Sequence, residues 1–186
     1  MSKTATVIVS SPRKGSNSGA LAEAIAAGLT ESGVTVETLD LSILDIKPCR
    51  ACEGCQRNLG LCIQPDDMEA VYPKVRAADV LVLSSPVYWF NMSGLLKTFL
   101  DRCFAVAMVG ERPFAQKTIA AALAYGDADP YVSGAVNAIR TFQDICAYTG
   151  AAWGGCVYAS ALSPNTLSQD QSILDKAKEL GRALSR

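Results

Sequence analysis

Short apolar runs and amphipathic segments alternate along the whole chain. Thr4–Val9 is a β-rich apolar run, Gly19–Ser32 repeats large apolar residues every four positions, and Val34–Leu41 is a second β-rich run. A four-residue repeat places apolar side chains on one face of a helix, and Gly33 stands where such a helix should end. The first forty residues therefore predict a strand, a helix and a strand.

The same alternation continues toward residue 186. Val80–Leu83 is apolar without interruption, which is typical of a central parallel strand buried on both sides. The other predicted elements are strands at Thr118–Ala124 and Ala151–Tyr158 and helices at Asp66–Ala78, Ser93–Phe104, Ser133–Thr149 and Gln169–Leu184. We expect Asp66 to cap its helix and Pro73 to kink or interrupt it. Five strands alternating with helices predict one α/β domain over residues 1–186, a doubly wound parallel sheet with helices on both faces.

Composition narrows the class of protein. Hydrophobic residues make up 49% of the chain and charged residues 19%, as in a globular domain, and the net charge of −1 gives no reason to expect nucleic acid or a membrane as partner. No stretch approaches the roughly 18 apolar residues that span a bilayer, and no secretory signal is expected. We therefore expect a cytoplasmic protein whose seven cysteines are reduced.

Histidine is absent from the chain. Its absence excludes Ser-His-Asp and Cys-His nucleophilic catalysis and imidazole acid–base chemistry. If the protein is an enzyme, we expect a bound cofactor to supply the chemistry. No side chain is assigned as a general acid or base.

The loop after the first strand, Ser10–Ser18, is rich in Ser, Gly and Asn. In doubly wound sheets, ligands bind at the carboxyl ends of strands, and a loop of this composition before a helix can bind an anion. Neither GxxxxGK[ST] nor GxGxxG occurs in the chain, so a phosphate monoester such as that of FMN fits better than a nucleotide bound by either motif. An ordinary polar loop is the alternative.

Two further loops follow predicted strands. Tyr88, Trp89 and Phe90 are consecutive aromatics within Ser84–Gly94, where a planar apolar ligand such as an isoalloxazine would explain them. The alternative is that they fill the core or a subunit interface. The third loop, Tyr125-Gly126-Asp127, lies where the topology predicts ligand contact, but a Gly-Asp pair is also an ordinary turn.

Four of the seven cysteines are clustered in sequence, at Cys49, Cys52, Cys55 and Cys62. Repeated C-x2-C steps are typical of ligands to a cubane iron–sulfur cluster, whereas structural zinc more often uses two separated pairs. A 4Fe–4S cluster, zinc, or free thiols near a subunit interface are the alternatives. The other three, Cys103, Cys146 and Cys156, are interpreted as small core residues.

Three segments carry a resemblance to a known family. Ser10–Ser18 resembles the GSPRxxxNT-type loop of the NADPH-dependent FMN reductase family, with Ser10 in place of the usual first glycine. The stretch over residues 84–102 resembles the SPVYxxxxSxxLKxFxDR segment of the same family. Ile46–Met68 resembles the compact cysteine motif of the iron–sulfur flavoproteins, whose four cysteines bind a 4Fe–4S cluster.

This resemblance implies a single flavodoxin-like domain with strand order 2-1-3-4-5 and a cysteine-rich insertion at about residues 46–66. It implies FMN-phosphate contacts from Ser11, Arg13, Ser16, Asn17 and Ser18, and flavin contacts from Pro86, Val87, Tyr88, Trp89 and Asn91. Lys97, Asp101 and Arg102 are expected to be structural or interface residues.

The implied activity is hydride transfer from NAD(P)H to FMN and on to a small-molecule or protein electron acceptor. The alternative is an iron–sulfur flavoprotein that carries electrons through a 4Fe–4S cluster and FMN. A non-catalytic flavin or nucleotide sensor is a third class, which no residue favours. The resemblance also implies a homodimer or homotetramer.

Overall fold

The computed structural model describes residues 3–107 and 114–186. The strands are β1 (Thr4–Val9), β2 (Thr35–Asp40), β3 (Val80–Tyr88), β4 (Asn91–Met92), β5 (Thr118–Tyr125) and β6 (Ala152–Ser160). The helices are α1 (Asn17–Glu31), α2 (Gly54–Arg57), α3 (Met68–Ala77), α4 (Gly94–Ala107), α5 (Ala135–Thr149) and α6 (Gln171–Leu184). Within these ranges no helix is both long and apolar enough to cross a bilayer.

The five long strands form one parallel sheet in the order β2-β1-β3-β5-β6. The short β4 pairs antiparallel with the end of β3, and without it the order is the predicted 2-1-3-4-5. In the centre of the sheet Val82 lies opposite Val7 of β1 and Ala120 of β5. The doubly wound, flavodoxin-like class is therefore confirmed.

Each face of the sheet is covered by its own helices. Val80 and Val82 pack into the apolar core beneath α1 and α6, whereas Leu81 and Leu83 pack into the core beneath α3, α4 and α5. Adjacent strand residues point to opposite faces, so a strand covered on both sides is apolar at every position. The repeat in the first helix is also confirmed, because Leu21, Ile25 and Leu29 of α1 are completely buried.

Strand β3 is longer than the sequence predicts. We expected a loop from Ser84, but Ser84, Ser85 and Pro86 continue to pair with β5. Pairing of β3 with β1 ends at Ser84. Pro86 therefore has a neighbouring strand on one side only, where a residue without an N–H is tolerated.

Helix α3 continues through Pro73 from Met68 to Ala77, so the expected interruption does not occur. Pro73 is exposed, and the carbonyl that loses its helical partner can be hydrated on that side. The N-cap position is Asp67 and not the predicted Asp66, and the Asp67 side chain forms no capping hydrogen bond. The N–H of Met68 nevertheless donates to Asp66 Oδ1 at 3.1 Å.

Helices α1 and α6 touch backbone to backbone. A Cβ added at Gly181 would lie 2.1 Å from the carbonyl oxygen of Ile25, and one at Gly28 would lie 2.0 Å from that of Lys178. Only glycine at these two positions allows the helices to approach this closely. The approach seals the core on this face of the sheet.

We predict that Gly181→Ala lowers the free energy of unfolding by about 1–3 kcal/mol, because the new methyl group forces the two helices apart. This loss should outweigh the roughly 1 kcal/mol that alanine contributes to helix formation. Urea denaturation measures the change. Gly94→Ala in α4 is the matched control, since nothing lies within 4 Å of a Cβ there. Equal stabilities of the two variants would contradict the prediction.

Candidate functional site

Parallel pairing brings the three predicted ligand loops to one edge of the sheet. The loops follow the carboxyl ends of β1, β3 and β5, which are neighbours in the sheet. A fourth segment, the connection from β6 to α6, lies against the first loop, where the N–H of Asn165 donates to the carbonyl of Gly15 at 3.2 Å. Sequence reasoning missed this fourth segment.

The first loop leads into α1, and N–H groups in the first turn of this helix are free to bind a ligand. Ser16 caps the helix, its Oγ accepting the N–H of Gly19 at 3.0 Å, and the first turn contains no acidic residue. N–H groups in the first turn have no carbonyl partner within their own helix and carry partial positive charge. The side chains of Arg13 and Lys14 are exposed beside them. This end of α1 is therefore suited to bind an anion.

Gly15 determines the path of this loop. Its φ is +66°, and an added Cβ would lie 2.0 Å from Asn165 Oδ1. The positive φ favours glycine, and a Cβ here would also displace the Asn165 side chain. Of the predicted phosphate contacts, Ser11, Arg13 and Ser16 line one cavity of about 530 Å³.

Asn17 and Ser18, the other two predicted phosphate contacts, have different surroundings. The Asn17 amide donates to the carbonyl of Ser163 at 2.7 Å and accepts the N–H of Leu167 at 3.0 Å, so it holds the β6–α6 connection. The buried Ser18 hydroxyl has no protein partner among the described residues. Because it lies in the first turn of α1, an oxyanion there would provide one. The Ser18 hydroxyl fits a phosphate monoester, whereas the Asn17 amide is already engaged within the protein.

Four buried serines join the loops beneath this edge. We refer to Ser10, Ser84, Ser85 and Ser93 as the serine cluster. Ser10 Oγ donates to the carbonyl of Ser84 at 2.8 Å, and Ser93 Oγ donates to Ser10 Oγ at 2.8 Å. The N–H of Ser93 donates to Ser85 Oγ, also at 2.8 Å. The cluster links the end of β1, the end of β3 and the start of α4.

The consecutive aromatics form a hairpin. Tyr88 and Asn91 pair across the turn, and Trp89 and Phe90 have φ of 49° and 68°. Positive φ at both central residues is typical of a type I′ turn, which matches the twist of paired strands. The amide of Asn137 in α5 donates to the carbonyl of Phe90 at 3.0 Å and holds the hairpin against that helix.

The hairpin presents apolar surface at the sheet edge where β1, β3 and β5 end, which we call the ligand edge. The Trp89 side chain is 93% exposed, so the alternative that it fills the core is wrong for this residue. Tyr88 and Phe90 are also exposed, while Pro86 and Val87 are half-buried behind them. A planar ligand or a second subunit would cover this surface.

The loop after β5 is exposed to solvent only in part. Gly126 and Asp127 are exposed, whereas the Tyr125 ring is buried, with its centroid 6.4 Å from that of Tyr158. Burial raises the pKa of Tyr125, and the nearby Tyr158 and Asp129 raise it further. Ser160 Oγ donates to the carbonyl of Asp127 and ties the loop to the end of β6.

The four clustered cysteines line a single cavity of about 800 Å³, which α4 and α5 complete. Cys49 and Cys52 are exposed, Cys55 and Cys62 are half-buried, and all four are free thiols. Among the described residues no three cysteine or acidic side chains converge closely enough to hold a metal ion. The set has the ligand chemistry that a 4Fe–4S cluster requires, and binding one would need the sulfurs to draw together.

The pKa of Cys62 is lowered, whereas that of its neighbour Cys55 is raised by burial. Burial alone would raise the pKa of the Cys62 thiol, but the N–H of Gln64, the Tyr72 hydroxyl and Arg102 outweigh burial and lower it. Burial raises the pKa of Cys146 to about 11, in keeping with an unreactive core thiol. Cys103 is likewise buried, as predicted.

A buried ion pair anchors the cysteine-rich segment. Arg102 of α4 is 2% exposed and forms a two-pronged ion pair with Asp66, with Nη2 at 3.0 Å from Oδ1. It also donates to the carbonyl of Lys47 at 2.8 Å and to Cys62 Sγ at 3.5 Å. One side chain thus holds both ends of the segment, which agrees with the structural role expected for Arg102.

Comparison with protein families is consistent with this geometry. The family model described as NADPH-dependent FMN reductase matches residues 4–153, most of the chain. The chain belongs to the NADPH-dependent FMN reductase family. The match includes the Ser10–Ser18 loop before α1 (the α1 loop), the cysteine-rich segment, the hairpin and the loop after β5. FMN and NAD(P)H are the cofactor and co-substrate of the family's named activity.

Individual relatives cover the chain unequally. An iron–sulfur flavoprotein of Methanosarcina thermophila is 36% identical over 122 residues, 65% of this chain and 62% of the relative. One of Archaeoglobus fulgidus is 37% identical over 106 residues, 57% of this chain and 46% of the relative. The matches thus span less than two thirds of either relative. An NAD(P)H:quinone oxidoreductase from Methanothermobacter marburgensis shares the fold, with a TM-score of 0.77, 21% identity and coverage of 100% of this chain and 98% of its own.

We predict that Asp66→Asn lowers the free energy of unfolding by about 3–5 kcal/mol near neutral pH, because Arg102 is left buried without a counter-charge. Burial opposes ionisation of Asp66, but hydrogen bonds from Arg102 and from the N–H groups of Lys47 and Met68 hold its pKa below the ordinary value. Its contribution is therefore present above the unfolded-state pKa of about 3.9 and is lost as pH falls through the folded-state pKa.

Urea unfolding at a series of pH values measures this effect. The difference between wild type and Asp66→Asn should be constant above about pH 5 and should shrink below about pH 4. Asp101→Asn is the matched control, because it breaks the exposed Lys97–Asp101 pair and should cost less than about 0.5 kcal/mol. A difference that does not change with pH would contradict the assignment.

Proposed function

We propose that this protein is an FMN-dependent oxidoreductase that transfers a hydride from NAD(P)H to FMN and passes electrons to an acceptor. The observation that carries the proposal is the position of the α1 loop and the aromatic hairpin on one sheet edge. An anion site and a planar apolar site side by side match the two ends of FMN. Membership of the FMN reductase family supports the same assignment.

The roles of the residues follow from their positions. Ser11, Arg13 and Ser16 bind the phosphate with the first turn of α1, and Ser18 offers its hydroxyl there. The hairpin residues Pro86, Val87, Tyr88, Trp89 and Asn91 orient the flavin ring, and Gly126 and Asp127 border it beside the buried Tyr125. When bound, FMN supplies the hydride-accepting chemistry, and the chain supplies orientation and exclusion of water.

The proposal includes subunit pairing and leaves two acceptor classes open. Trp89 is almost fully exposed at the site, and a second copy of the chain in a homodimer or homotetramer would cover it. The acceptor is a small molecule or a protein.

Flavin binding and turnover test the proposal. We expect FMN to bind with quenching of its fluorescence, and NADH or NADPH to be oxidised when a quinone is added. Arg13→Ala should weaken FMN binding about tenfold or more, because it removes a charged hydrogen-bond donor from the phosphate. It should leave riboflavin binding unchanged. Arg140→Ala, which alters an exposed ion pair on α5, is the control. If neither nicotinamide reduces the bound flavin, the proposal fails.

A second candidate function is an electron carrier with a 4Fe–4S cluster in addition to FMN. Its specific support is that Cys49, Cys52, Cys55 and Cys62 line one cavity, and that several relatives are named iron–sulfur flavoproteins. Ala51 and Glu53 have positive φ, and turns of this kind point backbone N–H groups toward a bound anion or cluster. The cluster would lie against α4 and α5, away from the ligand edge.

Iron and acid-labile sulfide assays on anaerobically purified protein test this candidate. We expect about four iron atoms per chain. Cys52→Ser should lose most of the iron, whereas Cys156→Ser in β6 should keep it. Wild-type protein that contains zinc or no metal would rule the cluster out and leave the FMN reductase activity unaffected.

A further inference from the structure

We propose that Ser10 is a positioning residue that holds the α1 loop and the aromatic hairpin at a fixed separation. The inference rests on the proposed FMN site and concerns how its two halves are joined. In the family loop that this chain resembles, a glycine occupies the position of Ser10.

Ser10 connects two strands at the ligand edge. It follows the last residue of β1, and its side chain is completely buried. Both its N–H, at 3.1 Å, and its hydroxyl, at 2.8 Å, donate to the carbonyl of Ser84 in β3. A glycine would keep the first of these bonds and lose the second.

Ser93 connects Ser10 to the return strand of the hairpin. Ser93 follows β4 directly, and its hydroxyl donates to Ser10 Oγ at 2.8 Å and lies 3.3 Å from the Ser10 carbonyl oxygen. Its N–H is fixed by Ser85 Oγ. Without the Ser10 hydroxyl, Ser93 would retain only the longer of the two contacts with residue 10.

Each hydroxyl of the serine cluster donates a hydrogen bond to an acceptor within the protein. Ser10 donates to the Ser84 carbonyl and Ser93 donates to Ser10. Ser84 donates to the carbonyl of Ser18 in α1, and Ser85 donates to that of Pro86, both at 2.8 Å. A fully satisfied buried network fixes one arrangement of the groups it joins. The groups joined here are the first turn of α1 and both strands of the hairpin.

This arrangement matters for a ligand that touches both halves of the site. FMN spans from the α1 loop to the hairpin, so any freedom between the halves must be lost when it binds. Riboflavin has no phosphate, so its binding depends on contacts at the ring-binding half of the site and not on the α1 loop. Loss of the Ser10 hydroxyl should therefore reduce the affinity for FMN more than that for riboflavin.

The test compares the two flavins on full-length Ser10→Gly protein by fluorescence quenching. We expect the Kd for FMN to rise about tenfold, mainly through faster dissociation, and the Kd for riboflavin to rise less than about threefold. Ser93→Ala should act in the same direction. The effects of the two substitutions should add only in part in the double variant, because both remove the Ser93–Ser10 hydrogen bond while each also breaks a bond of its own.

Ser32→Ala is the matched control. Its hydroxyl donates to the carbonyl of Gly28 at 2.9 Å near the far end of α1, so the variant loses a serine hydroxyl hydrogen bond at an exposed position away from the site. It should bind both flavins as wild type does. Unchanged binding by Ser10→Gly, or equal weakening of FMN and riboflavin, would overturn the inference. If Ser10→Gly does not fold, the same comparison on Ser93→Ala decides. Failure of wild-type protein to bind FMN would instead overturn the proposed function.

Discussion

The parallel pairing of β3 with β1 on one side and β5 on the other determines where this chain can bind a ligand. Because the three strands run in one direction, the loops that follow them meet at one edge, although they are up to about a hundred residues apart in sequence. This arrangement favours strands that are largely apolar on both sides, as Val80–Leu83 is, since helices cover both faces. The loops are then free to carry polar and aromatic residues.

The hydrogen bonds at this edge make the loops a single unit. The serine cluster joins β1, β3 and α4, Asn17 holds the β6–α6 connection, and Asn137 holds the hairpin turn. None of these contacts is with a ligand. They fix the backbone from which an anion site and an apolar surface are presented, and they reduce the ordering that ligand binding would otherwise require.

The cysteine-rich segment depends on a different interaction. It is outside the sheet and contains little regular structure, so Arg102 of α4 holds it through Asp66, Lys47 and Cys62. A buried guanidinium is stable only with its carboxylate in place, which makes this contact sensitive to loss of either partner. The anchor therefore also sets where the four cysteines can lie relative to α4 and α5.

The sequence by itself predicted the alternation of strands and helices, the two-sided core and the loops after β1, β3 and β5, because periodicity of apolar residues and local motifs depend on neighbours in the chain. The strand order was expected only from the family resemblance. It also predicted an anion site in the Ser10–Ser18 loop and a flavin contact at Trp89. Only the tertiary structure decided that β3 extends through Tyr88, that the amide of Asn17 is engaged by the β6–α6 connection, and that Ser10 bonds to Ser93. Each of these depends on contacts between residues distant in the chain, and no local pattern specifies which distant partner a buried polar group will meet.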